Sequence, residues 1–335
     1  MYVGSGKNIY EWIDNWAMIP DTESARTGWA HIGIVVTESG DIITGHQDDP
    51  VILVFDKDGH LKDSWESGVT ETHGITLVKE SEIEYLWIAD NGRRRHRSTG
   101  YEYPDNGNVI GMAIKKTLDG QTIKELMQPD LPIYKYGDYM PTSIAVNEER
   151  HGGNGDIWVS DGYGQNWIHQ YNVDGDYISS INGEEGNTGL FNCPHGIFID
   201  RRKAESELYI ADRTNGRVQV YDLAGTYKRT FGSNFLTTPS AFATHGDFLI
   251  IAELRARITI LDRDDNFVCY LGDNEQVCDT EGWPNIKNKR GKITRTNLLK
   301  LGRFNSPHGV AVDKDGNLYI AEWLIGGRIT KLNKR

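Results

Sequence analysis

The chain has little cysteine: three in 335 residues, Cys193, Cys269 and Cys278, with no CxxC spacing. An odd, scattered set disfavours a disulfide framework and a thiolate zinc site, and it fits a reducing compartment. No apolar run approaches the ~20 residues that span a bilayer. The first residues, Met1-Tyr-Val-Gly-Ser-Gly-Lys7, show no basic stretch followed by an apolar one. A soluble, cytoplasmic protein with no membrane partner is expected. Basic charge is also in short supply, with 36 Lys and Arg against 48 Asp and Glu for a net charge of −12. That balance argues against binding a phosphate backbone, and so against a nucleic-acid partner. The local exception, Arg93-Arg-Arg-His-Arg97, reads as a solvated insertion loop rather than a nucleic-acid patch.

What is present is an ordinary globular balance, 38% apolar and 25% charged, with nine tryptophans and 16 tyrosines. Those aromatics suit half-buried sheet surfaces. An internal repeat organises them. Three segments start alike: His73-Gly-Ile-Thr-Leu, Pro194-His195-Gly-Ile-Phe-Ile-Asp and Pro307-His308-Gly-Val-Ala-Val-Asp. Each runs on to a second apolar stretch ending in an acid, Leu86–Asp90, Leu208–Asp212 and Leu318–Glu322. Aligning the starts gives six units, at His31, His73, Thr142, His195, Ser240 and His308, spaced by 42, 69, 53, 45 and 68 residues. The two long spacings hold expected insertions at about 93–140 and 263–305. Without them each unit is near the ~40–50 residues of a four-stranded propeller blade.

The fourth unit shows the pattern most fully. Gly196–Asp200 and Glu207–Asp212 are short apolar strands, Thr214-Asn-Gly216 is a turn, Arg217–Tyr221 alternates at period two, and Thr226–Phe231 follows a second turn. The sixth unit ends after its third strand, Arg328–Leu332, and so lacks an outer partner for that edge. Tyr10–Trp16 is the candidate to supply it. The expectation is an all-β, six-bladed propeller, one domain over 1–335, closed by an N-terminal strand.

In such a fold the first strands line a central channel. Residues 31, 73, 142, 195, 240 and 308 then form a ring, and His73, His195 and His308 fall on alternate blades. Three imidazoles so placed suit three-His coordination of Zn2+ or another divalent transition metal, with one position open. The structural reading is that a histidine at a strand start bonds a neighbouring carbonyl. His31 precedes Ile32-Gly33 rather than a glycine, so its register is expected to differ.

The run Tyr209-Ile-Ala-Asp-Arg-Thr-Asn-Gly-Arg-Val-Gln-Val-Tyr221 and the Pro-His-Gly starts resemble the NHL-repeat family of six-bladed propellers over nearly the whole chain. Within it, the three histidines, Ser160-Asp-Gly-Tyr163 and Ala211-Asp-Arg213 resemble the lyase domain of the peptidylglycine α-amidating enzymes. The resemblance implies zinc on His73, His195 and His308, a catalytic Tyr163, and Arg213 holding a substrate carboxylate. The implied reaction cleaves a small carbinolamide, N–CH(OH)–COO⁻, to an amide and glyoxylate. The structural readings of Tyr163 and Arg213 are a core aromatic and a partner for Asp212.

Three departures bear on the substrate. Gly45-His46-Gln47-Asp48 places Gln47, beside His46, where the family has a second arginine. Gly309 follows His308 where the family has a calcium-binding aspartate, so no structural Ca2+ is expected. The family's disulfide cysteines have no counterparts. His46 and Gln47 are therefore substrate-binding candidates for an altered small molecule, and the basic and tyrosine-rich 93–140 stretch either supplies replacement contacts or is a surface excursion. The acids at the second-strand ends (Asp90, Asp161, Asp212, Glu253, Glu322) are expected to cap turns or bond neighbouring backbone, with the alternative that one or two orient zinc-bound imidazoles. A metal-dependent hydrolase of a lactone or ester, and a non-catalytic NHL binding scaffold, are the competing functions.

Overall fold

The structure, a computed structural model, describes residues 1–103 and 109–335. Residues 104–108, inside the expected 93–140 insertion, lie outside the described residues. The protein is all-β, a six-bladed propeller of antiparallel blades. Blades one to five are four-stranded. Their first strands are Ile34–Val36, Gly74–Glu80, Ser143–Val146, Pro194–Asp200 and Pro239–His245. No helix among the described residues is long and apolar enough to cross a membrane.

Blade six is completed from the N-terminus. Its own strands are Pro307–Val312, Leu318–Glu322 and Arg328–Lys334, and Asn8–Ile13 adds to the last with Tyr10 opposite Lys334 and Trp12 opposite Leu332. Alternation decides which face of that strand goes inward: Asn8, Tyr10 and Trp12 are buried while Ile9 is exposed. Trp12 packs on Phe304 with ring centroids 4.6 Å apart. The short strand Tyr2–Ser5 pairs outside Asn8–Ile13 and forms the blade's edge.

The chain divides into two compact units, one of Met1–Thr72, Arg94–Asp105 and Phe242–Arg335, the other of His73–Arg93 and Asn106–Ala241. In the first, Ile32, Ile34, Ile42, Phe55, Tyr319 and Ile329 belong to one buried cluster with Trp16. The second holds blades two, three and four. Its buried clusters centre on Trp87 with Tyr139 and on Trp158 with Tyr221.

The expected insertions are shorter than the sequence suggests. Met112–Thr117 and Thr122–Leu126 are the third and fourth strands of blade two, and Phe267–Leu271 is the fourth strand of blade five. Met112–Thr117 reads as polar because of Lys115 and Lys116. Both lysines are buried by their stems, the first with its ammonium on Glu80 and the second with its ammonium on Thr122. The excursion after blade five contains a two-stranded ribbon, Asn285–Lys287 with Ile293–Arg295.

Candidate metal centre

The His-Gly starts have a local physical cause. In the second unit, His73 Nδ1 lies 2.7 Å from the Thr142 carbonyl oxygen and His195 Nδ1 lies 2.8 Å from that of Ser240. In the first unit, His308 Nδ1 lies 3.1 Å from the Ile32 carbonyl oxygen. A carbonyl only accepts, so each Nδ1 carries the hydrogen and the lone pair is on Nε2, the tautomer a metal ligand needs. Glycine lets those same carbonyls approach. A Cβ built on Gly74 would sit 2.4 Å from Thr142 O, and one on Gly196 would sit 2.4 Å from Ser240 O. At Gly309 the spacing to Ile32 O is a looser 3.2 Å. The ring positions without histidine turn elsewhere: the Thr142 hydroxyl donates to Pro194 O at 3.1 Å and that of Ser240 to Thr238 O at 3.1 Å.

Within the second unit the His73 and His195 rings are 4.8 Å apart. In the first, the His31 and His308 rings are 4.5 Å apart. All four histidines, His31 and His308 in the first unit and His73 and His195 in the second, are buried. Buried imidazoles with their Nδ1 hydrogens already committed are ligands of the kind that a metal of the zinc type takes. His31, set apart by its register in sequence, lies beside His308 within the first unit. Its Nδ1 faces a carboxylate instead of a carbonyl, Glu71 Oε2 at 3.1 Å, with Arg95 Nη1 at 3.4 Å.

Tyr163 and Arg213 join the second unit's histidines. The Tyr163 hydroxyl is 3.1 Å from His195 Nε2, and Arg213 Nη1 donates to the same hydroxyl at 3.1 Å. The Tyr163 ring is 5.1 Å from that of His73. Asp161, two residues before Tyr163, fixes the chain there by accepting from the Met140 and Gln165 amides at 2.6 Å and from the Tyr134 hydroxyl at 2.7 Å. Tyr134 gives its one hydrogen to Asp161. His169 Nε2, 2.6 Å from the Tyr134 oxygen, must therefore donate, and the Ser180 hydroxyl donates to Nδ1 at 2.7 Å. Burial pushes Asp161 up to about 7, against the pull of its hydrogen-bond donors, and burial pushes His169 down to about 4.

The other acids serve their own turns and strands. Asp90 accepts from the Gly92 amide at 2.9 Å, and Asp212 accepts from Asn192 N at 2.8 Å and Arg217 Nε at 2.6 Å. Glu253 pairs with Arg257 at 2.8 Å, and Glu322 accepts from Asn305 N at 2.6 Å while pairing with Arg328. His46 Nδ1 accepts from Asp49 N at 2.9 Å, and its pKa is lowered chiefly by burial. Gln47 is buried, and neither atom of its amide has a hydrogen-bond partner among the described residues. Sequence reading missed Glu71, for which the one available signal was its position two residues before His73, whereas Arg95 lies in the basic stretch expected to supply replacement contacts or to be a surface excursion.

Two outcomes follow. Gly196→Ala destabilises the chain by about 1–3 kcal/mol in urea unfolding, because the methyl group must displace a backbone carbonyl, whereas Gly309→Ala costs clearly less. The second concerns pH. Between the ordinary aspartate range and about 7, the folded chain holds a proton on Asp161 that the unfolded chain has released. Stability linked to Asp161 therefore falls as pH rises through this window, by up to about 1.4 kcal/mol per pH unit. Urea titrations at pH 5 and pH 7 should show wild type losing ground to Asp161→Asn at the higher pH; a pH-independent difference contradicts the assignment.

Residues 304–323 match the family model of the NHL repeat. NHL repeat-containing protein 3 of Homo sapiens is 27% identical over 245 residues, which is 70% of this chain and 65% of that protein. The chain thus spans about two thirds of the length of that relative. Peptidyl-alpha-hydroxyglycine alpha-amidating lyase 1 of Drosophila melanogaster is 29% identical over 270 residues, 75% of this chain and 42% of the lyase. A solved structure of streptogramin B lyase superposes with a TM-score of 0.58 at 15% identity, covering 99% of this chain and 100% of that one, a likeness of fold. The chain carries an NHL repeat, folds as a six-bladed propeller and is distantly similar to the amidating lyases.

Proposed function

We propose that the chain is a metal-dependent lyase that cleaves a small carbinolamide, or a related α-hydroxy compound, in the manner of the amidating lyases. The observation that carries this reading is the Tyr163 hydroxyl, held at 3.1 Å from both His195 Nε2 and Arg213 Nη1. His73, His195 and His308 would hold the metal, which supplies Lewis acidity toward the substrate hydroxyl. Tyr163 acts as the base that removes the hydroxyl proton; the adjacent guanidinium favours the deprotonated oxygen that this role requires. As the O–H proton leaves, the carbon–oxygen double bond forms, the carbon–nitrogen bond breaks and the nitrogen takes up a proton. The products are an amide and an α-keto or aldehyde acid. Arg213 has five N–H donors, so it can hold a carboxylate while still touching Tyr163.

A small-molecule substrate in a cytoplasmic setting, with neither nucleic acid nor membrane as partner, completes the proposal, supported by the net charge of −12. The competing hydrolase reading has no need of Tyr163, since a metal site alone can activate water toward a lactone or ester. Glyoxylate release from N-acyl-α-hydroxyglycines by zinc-loaded protein is the test. Tyr163→Phe should lower kcat by about 10²–10⁴-fold. Arg213→Ala should lower kcat/KM as well. Ester or lactone hydrolysis that survives Tyr163→Phe, with no glyoxylate released, contradicts the lyase.

A further inference from the structure

Within the second unit, a continuous row of hydrogen bonds runs from the surface of blade three to the turn that carries Tyr163. Tyr177 and Ser180 lie on the blade's outer strand, Tyr177–Ile181, with their hydroxyls 2.8 Å apart. Ser180 stands opposite His169 of the strand Trp167–Tyr171, and its Oγ is 2.7 Å from Nδ1. His169 Nε2 is 2.6 Å from the Tyr134 oxygen, which is 2.7 Å from Asp161 Oδ2. Tyr177, at one end, is 42% exposed, while His169 and Asp161 are fully buried. Burying an acid and an imidazole together is costly unless their polar atoms are met, and here they are. The other end of the row reaches Tyr163 through backbone. Asp161 accepts from the Met140 amide at 2.6 Å, and the Met140 carbonyl accepts from the Tyr163 amide at 3.3 Å.

Hydroxyls and a neutral imidazole can each donate and accept, so the row can point either way. With Asp161 charged, Tyr177 donates to Ser180, Ser180 to Nδ1, Nε2–H to Tyr134, and Tyr134 to Asp161. With Asp161 protonated on Oδ2, every bond reverses and the Tyr177 hydroxyl points to solvent. Between the two states each hydrogen crosses one hydrogen bond. The Asp161 proton passes to Tyr134, that of Tyr134 to Nε2, that of Nδ1 to Ser180, that of Ser180 to Tyr177, and that of Tyr177 to water. In sum one proton leaves Asp161 for solvent, and no group between them is left charged. Both states keep the backbone contacts, since Oδ1 still faces the Met140 amide and Oδ2 keeps a lone pair for the Gln165 amide.

We propose that Tyr177, Ser180, His169, Tyr134 and Asp161 form a proton wire whose reversal keeps the turn after Asp161 in place while Asp161 gains or loses a proton. Tyr134 and His169 are then positioning residues for Tyr163, acting through Asp161. The inference rests on the lyase reading only in taking Tyr163 as the residue served. The protonation states agree with it. Burial brings Asp161 up to about 7, so both of its forms are populated near neutrality, and burial brings His169 down to about 4, so it relays without holding charge. The other phenols facing Asp161, Tyr139 and Tyr171, are raised by burial and stay neutral. Asp138, whose carbonyl accepts from the Gln165 side chain, has its own carboxylate on Arg93 at 2.7 Å.

The His169 tautomer reports the direction of the wire, so nitrogen-15 NMR of the imidazoles from pH 5 to pH 9 tests it without substrate. Wild type should carry the hydrogen on Nε2 at high pH and on Nδ1 at low pH. The ratio should change by about 10-fold per pH unit around the Asp161 midpoint near 7. The Met140 and Gln165 amides should keep the same protection from hydrogen exchange on both sides of it. Asp161→Asn and Tyr134→Phe should each hold His169 in one tautomer throughout. A single tautomer in wild type, as for a histidine that only packs, overturns the wire. So does an imidazole that takes up charge at about pH 6.5, its ordinary range, or a reversal that survives in folded Tyr134→Phe. The wild-type titration decides even where a variant does not fold. Where glyoxylate is released, Tyr134→Phe should lower kcat about 10–100-fold more at pH 6 than at pH 8, because protonated Asp161 then lacks its acceptor and the turn shifts. An equal loss at both contradicts the positioning role. Tautomer reversal without glyoxylate release sustains the wire and removes the lyase reading; glyoxylate release with a fixed tautomer does the reverse.

Discussion

A hydrogen bond from a histidine Nδ1 to a backbone carbonyl recurs at His73, His195 and His308, to Thr142, Ser240 and Ile32 in turn, and the candidate site depends on it. One interaction does two things. It fixes each imidazole's orientation and tautomer, and it ties the start of one blade's first strand to backbone of the next first strand. The glycine after each histidine belongs to the same arrangement, since at Gly74 and Gly196 a side chain would occupy the carbonyl's place. The structural and metal-binding readings of a histidine at a strand start are therefore not alternatives. The carbonyl bond is what leaves the lone pair on the other nitrogen, as a metal ligand requires.

On the second unit, His73 and His195 meet a separately supported tyrosine. Tyr163 sits at the end of a strand whose last residue, Asp161, is held by two amides and by Tyr134. Tyr134 comes from the segment between blades two and three, so part of that excursion supports the site's geometry. Arg213 completes the group from blade four, where Asp212, Asn215 and Arg217 lock the turn that carries it. A tyrosine built this way is pre-positioned by backbone and buried polar contacts rather than by its own loop's flexibility.

How much of this was legible in the sequence varies by residue, for physical reasons. The blades were legible because short apolar strands and glycine turns repeat at regular spacing, and because Tyr10 and Trp12 alternate as an outer strand must. His73, His195 and His308 were legible through the Gly that follows each. His31 was not, because Ile32 follows it and its partner Glu71 is distant in the chain. The strand Met112–Thr117 was hidden by lysines whose stems are buried. Trp29 and Trp323 carry no local signal at all; only the fold brings residues from the two ends of the chain to stack. Gln47 was legible as a substitution, and the structure adds that its amide is buried with no hydrogen-bond partner among the described residues.

The central claim is that the histidines form a metal site. Metal content of protein purified without chelator and then equilibrated with zinc, measured by mass spectrometry beside His195→Ala, tests it most directly. The account predicts about one zinc per wild-type chain, retained through gel filtration and lost in His195→Ala with the fold intact. A wild type that retains no metal, or a variant that retains as much as wild type, contradicts it.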